Sequence, residues 1–119
     1  MFVAKYPAWA TRVSFDDGTV AYFDGPKDMF KYLFNLQKYR PGHSREEVAT
    51  ILVTGYYDLR PLDAEDAHFV TGSDVYGPMG HELVPLASAE DAEEFRRDHR
   101  GDRILRLEDI SPETMDELD

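Results

Sequence analysis

Met79 and His81 stand on either side of a single glycine, at the end of the stretch Gly72-Ser73-Asp74-Val75-Tyr76-Gly77-Pro78-Met79-Gly80. In an extended chain, side chains two residues apart project to the same side, and the intervening Gly80 adds no bulk. A thioether is a soft neutral ligand and an imidazole a borderline one, a pair suited to Cu(I) and poorly suited to Mg²⁺ or Ca²⁺. Glycines free the backbone of this stretch and Pro78 stiffens it. Ordering such a segment costs entropy, and loops of this kind carry sites more often than tight turns do. The same residues also fit a plainer description, with Met79 filling a gap and His81 an ordinary polar residue at a strand start. Residue types alone leave both readings open.

The remaining donors have structural explanations. His43 lies in a polar loop, His68 precedes an apolar run, and His99 closes a helix where a cation meets the C-terminal dipole favourably. Met29 falls on the apolar stripe of a helix, which points to core packing. With no cysteine in the chain, disulfides, thiolate zinc sites, iron–sulfur clusters and a cysteine nucleophile are excluded. No Gly-x-Ser-x-Gly, phosphate-cradling glycine loop or His-Glu-x-x-His is present. The carboxylates Asp63, Glu65, Asp66, Glu90, Asp91, Glu93 and Glu94 read as a solvated linker and helix face before they read as an acid and base pair. The expectation is a protein that is not an enzyme.

Lys and Arg number 13 against 24 Asp and Glu, a formal charge of −11 over 119 residues. Such a surface repels phosphate backbones and anionic headgroups, which argues against nucleic acid, and it attracts cations and basic protein surfaces. No apolar run reaches the ~20 residues needed to span a bilayer, and residues 1–7 lack the stretches of a signal peptide. The chain as it stands reads as soluble.

The elements that must position Met79 and His81 follow from periodicity. Arg12–Phe15 and Thr19–Phe23 alternate on either side of Asp16-Asp17-Gly18, which predicts a β-hairpin. Asp24 or Gly25 can cap the next element, and Pro26 suits a first helical turn. Met29, Phe30, Leu33 and Phe34 then recur at helical spacing through about Leu36. Residues 38–47 read as a loop and Ala49–Thr54 as a strand. The second half repeats the plan, with strands at Ala67–Thr71 and His81–Leu86, then a helix opened by Ser88-Ala89-Glu90-Asp91 like a capping box. A strand at Arg103–Leu107 closes it, and Glu113–Leu118 reads as a short surface helix. A shift of 63 places Ala21 on Val84, Phe23 on Leu86, Asp28 on Asp91, Met29 on Ala92 and Tyr32 on Phe95. The predicted fold is α+β, two tandem β-β-α-β repeats packed together, units 1–62 and 63–119. A piece of roughly 60 residues is marginal alone, so the halves must share a core.

Phe2-Val3-Ala4-Lys5-Tyr6-Pro7, Phe23-Asp24-Gly25-Pro26-Lys27-Asp28-Met29 and Gly72 through Glu82 together resemble the NosL family, over nearly the whole chain. The resemblance implies an envelope lipoprotein that binds Cu(I) and helps mature the copper centres of nitrous-oxide reductase, with Met79 and His81 as ligands. It also implies two β-β-α-β units, a fold similar to that of the organomercurial lyase family, whose cysteine chemistry this chain cannot perform. Family members carry a cysteine-rich stretch ending in Cys-Gly-Met just before the Phe-Val-Ala segment. Met1 stands where that methionine does, as that residue or as an initiator in its place, and the signal peptide, lipidated cysteine and thiolate ligands are absent from this sequence. The implied partners are a recipient copper enzyme or other copper-handling envelope proteins, in the periplasm or on the outer face of the envelope, with membrane contact only through a lipid anchor. The alternative is an acidic interaction module of the envelope with no essential metal.

Overall fold

A computed structural model describes residues 7–42, 44–77 and 80–118. The first alternating segments form β1 (Thr11–Phe15) and β2 (Val20–Phe23), paired antiparallel with Val13 opposite Ala21. The second strand starts one residue later than alternation predicts. Asp17 holds Thr19 in the turn, accepting from its backbone N–H at 2.9 Å and from its hydroxyl at 2.6 Å.

Helix α1 (Pro26–Phe34) opens with Pro26 and buries Met29, Phe30 and Leu33. Its N-cap residue is Gly25, which has no side chain to offer the free N–H groups of the first turn. The helix does not run on through Leu36. At Asn35 the backbone leaves helical geometry and the side-chain amide donates back to Lys31 O at 2.8 Å, so Leu36–Tyr39 forms a separate short α2. A 3₁₀ turn at Arg45–Glu47 interrupts the expected loop. It leads into β3 (Val48–Thr54), which pairs with β1, and β4 (Pro61–Asp63) adds to the far side of β3. The sheet order is β2-β1-β3-β4.

In the second half β5 (His68–Thr71) is followed by a two-stranded ribbon, β6 (Tyr76–Gly77) and β7 (Gly80–His81), then β8 (Val84–Leu86). The strand expected over His81–Leu86 is therefore two strands, because Glu82 and Leu83 both turn into the protein, at 2% and 0% exposure. Helix α3 (Ala89–Asp98) is capped by Ser88, whose Oγ accepts from Asp91 N at 3.1 Å. Strand β9 (Arg103–Leu105) completes a sheet of order β8-β5-β9 and gives way to a 3₁₀ turn at Leu107–Asp109. In both sheets the first strand lies between its successor and the strand that follows the helix.

Alternation along β5 sends Phe69 one way and Val70 the other. Phe69 packs with Val13, Met29, Phe30, Leu33, Ile51 and Val53, its ring edge-on to Phe30 at 5.7 Å. Val70 packs with Val84, Leu86, Ala92 and Phe95, against which Trp9 and Tyr56 of the first half also lie. Each apolar cluster thus draws on both halves. Helix α4 (Pro112–Leu118) is not the surface helix its length suggests. Thr114, Met115 and Leu118 are buried, the last two in the cluster around α1. Among the described residues no helix is long and apolar enough to cross a membrane.

Candidate metal centre

The β6–β7 ribbon sets Tyr76 opposite His81 and Gly77 opposite Gly80. Gly80 has φ +94°, a left-handed conformation that an L side chain adopts only under strain. His81 is exposed, and its imidazole lies against the Tyr76 ring with centroids 4.9 Å apart. Tyr76 is itself 61% exposed. The left-handed conformation of Gly80 departs from the extended chain on which the expected pairing of Met79 with His81 depends, and Met79, Met1 and His43 lie outside the described residues.

Two strands of two residues cannot orient themselves, since even longer isolated hairpins are marginal in water. The ribbon is held instead at both ends. On the incoming side, Ser73 is buried, and its Oγ accepts from Val75 N at 3.2 Å. Asp74 N donates to His99 O at 2.9 Å, and the Asp74 carboxylate meets His99 Nδ1 at 2.9 Å. His99 in turn stacks on Phe95 at 4.4 Å, which fastens the stretch to α3. The helix-closing role read for His99 is thereby joined to a second one.

On the outgoing side stands Glu82. Its Oε1 accepts from Lys27 N in the first turn of α1 at 2.7 Å and from Leu83 N at 3.0 Å. A carboxylate from the other half therefore supplies the cap that Gly25 cannot, beside the positive end of the helix dipole. Burial pushes the Glu82 pKa up to about 7; the bonds from Leu83 and Lys27 oppose this, the Asp28 charge adds to it and the Lys27 charge lowers it. Sequence reasoning missed this residue. The available signal was an acid directly before the run Leu83-Val84-Pro85-Leu86, where a plain strand has no use for a charge.

His68 is half-buried on β5, and burial together with the Arg106 guanidinium holds its pKa below the ordinary imidazole value. Met29 is fully buried, as its place on the stripe predicts. The carboxylates on α3 lie mostly outward, with Glu93 paired to Arg96. Among the described residues no three His, Cys, Asp or Glu side chains gather as a metal cage. His81 is thus a single exposed nitrogen donor on a ribbon braced at both roots. The donor chemistry suits a soft ion shared with sulfur better than a hard cation needing six or more oxygens.

Two antiparallel sheets, one of four strands and one of three, with helices packed on them and a two-stranded ribbon rooted in this way, define an α+β protein. The NosL family model matches residues 1–115, and the chain belongs to that family. The fold is similar to that in the crystal structure of the copper chaperone NosL from Shewanella denitrificans. The TM-score is 0.73 at 21% identity, over 87% of this chain and 79% of that one. No curated protein matches the chain.

Proposed function

We propose that this chain is a copper-handling accessory protein that takes up Cu(I) at the ribbon through Met79 and His81 and passes it to a recipient enzyme. The observation that carries this reading is the exposed His81, one glycine from Met79, on a loop braced at both ends in a member of the NosL family. The similarity of fold to a copper chaperone supports it. A thioether and an imidazole are donors that suit Cu(I), and the exposure of His81 lets a recipient's ligands replace it. The protein then needs no acid, base or nucleophile, and the reading is of a carrier and not an enzyme.

The finer parts belong to the same proposal. The recipient is nitrous-oxide reductase, the setting is the periplasm or outer envelope with a lipid anchor, and thiolates of the family's cysteine stretch, which this sequence does not contain, would complete the ligand set. Residues 1–62 and 63–119 are tandem β-β-α-β units, a reading supported by the like order of β2-β1-β3 in the first sheet and β8-β5-β9 in the second, although β4 has no counterpart. The formal charge of −11 favours a basic face on the recipient. An anaerobic competition titration against a chromophoric Cu(I) chelator tests the site. Wild type withdraws one equivalent of Cu(I), and Met79→Ala with His81→Ala lowers the affinity at least tenfold. Unchanged affinity in that variant means the metal, if bound, is held elsewhere. Binding of an envelope partner that is insensitive to copper would favour the acidic interaction module instead.

A further inference from the structure

The residue next to His81 does something that its chemistry makes expensive. Glu82 is 2% exposed, and Oε1 receives two backbone N–H groups while Oε2 has no hydrogen-bond partner among the described residues. That second oxygen lies under the ribbon. A Cβ at Gly77 would come within 3.0 Å of Oε2 and 2.9 Å of Glu82 Cγ, so the side chain fills the space beneath β6. One side chain thereby joins three things: the residue after His81, the underside of the opposite strand and the first turn of α1. A hydrophobic residue in this place would fill the space but leave the Lys27 N–H without its acceptor.

We propose that Glu82 is a positioning residue for Cu(I) held at the ribbon, fixing the peptide that carries His81 through its bond to the start of α1. The proposal rests on the reading of His81 as a ligand. A donor held in place before the metal arrives loses less freedom on binding than one on a loose ribbon, and the saving appears as affinity. Glu82 is too far inside to reach solvent, so its effect passes through His81 and does not come from touching the ion.

The experiment measures Cu(I) affinity by chelator competition for wild type, Glu82→Ala, Glu82→Gln, His81→Ala and the His81→Ala/Glu82→Ala double variant. The expected result is a loss of at least tenfold for Glu82→Ala and less than threefold for Glu82→Gln, whose amide oxygen keeps both N–H bonds. In the His81→Ala background, Glu82→Ala should cost less than threefold more, because the residue acts through the imidazole. Three results overturn the proposal: Glu82→Ala binding within threefold of wild type, Glu82→Gln as weak as Glu82→Ala, or the same loss with and without His81. Should Glu82→Ala fail to fold, Gly77→Ala displaces the same side chain from above and is expected to lose at least tenfold. Wild-type affinity in that variant overturns the proposal equally. If wild type itself binds no Cu(I), the functional reading has failed, and this is known before any variant is compared.

Discussion

Replacing Glu82 with glutamine should change how stability depends on pH, and the change can be worked from the burial of one carboxyl. Its ordinary pKa of 4.5 is raised to about 7 in the fold, with desolvation the leading cause. An acid whose native pKa is raised keeps its proton in the folded state over a range where the unfolded chain has released it. Stability therefore falls as pH rises from the unfolded value to the folded one, and levels off above it. At about 1.4 kcal/mol per unit, the interval between 4.5 and about 7 amounts to about 3 kcal/mol. Because Glu82 is 2% exposed, solvent screening takes little from this figure. Glutamine has the same shape, keeps an oxygen for the Lys27 and Leu83 N–H groups, and does not ionise. The stability of Glu82→Gln minus that of wild type should then move in the variant's favour by about 3 kcal/mol between about pH 4.5 and about pH 8. Urea denaturation of both proteins over a pH series measures this difference, and other titrating groups cancel in it. A flat difference, or one that moves against the variant as pH rises, refutes the reasoning.

Met115→Ala should lower stability by about 2–5 kcal/mol, the range for truncating a buried methionine, and denaturation midpoints check it; a change under about 0.5 kcal/mol would mean that α4 does not dock as its burial indicates. Asp74→Ala should barely alter global stability, since the Asp74 and His99 side chains are 55% and 33% exposed and such pairs contribute about 1 kcal/mol at most. The same variant should speed hydrogen exchange at the Asp74 and Val75 amides by loosening the ribbon's incoming root. Unchanged exchange there would remove the clasp from the account.

Local features were legible wherever the determining residues are neighbours in sequence. Alternation around Asp16-Asp17-Gly18 shows the hairpin, Pro26 and the Met29 stripe show α1, and Ser88 with Asp91 shows the start of α3. What stayed hidden depends on distant partners or on competition between local bonds. Asn35 ends α1 by turning its amide back on Lys31, although the apolar spacing continues to Leu36. The outward look of Glu113–Leu118 gave no sign that Met115 and Leu118 cover the cluster around α1. Glu82 caps a helix through Lys27, 55 residues earlier in the chain, a link that no window along the chain contains. Of the candidate site, the sequence shows a thioether and an imidazole one glycine apart, and of the two the described residues include only His81. The bracing of the ribbon by Glu82 at its outgoing root and by Asp74 with His99 at its incoming one needed the fold.

In the proposed function the ribbon imidazole, and none of the other three of the chain's 4 histidines, takes the incoming ion. Long-range ¹H–¹⁵N spectra of the imidazoles, recorded anaerobically as Cu(I) is added to one equivalent, address it most directly. The account predicts that the His81 ring nitrogens shift and saturate at one equivalent while those of His43, His68 and His99 stay in place. A His81 ring that does not move, or four rings that move alike, would contradict it.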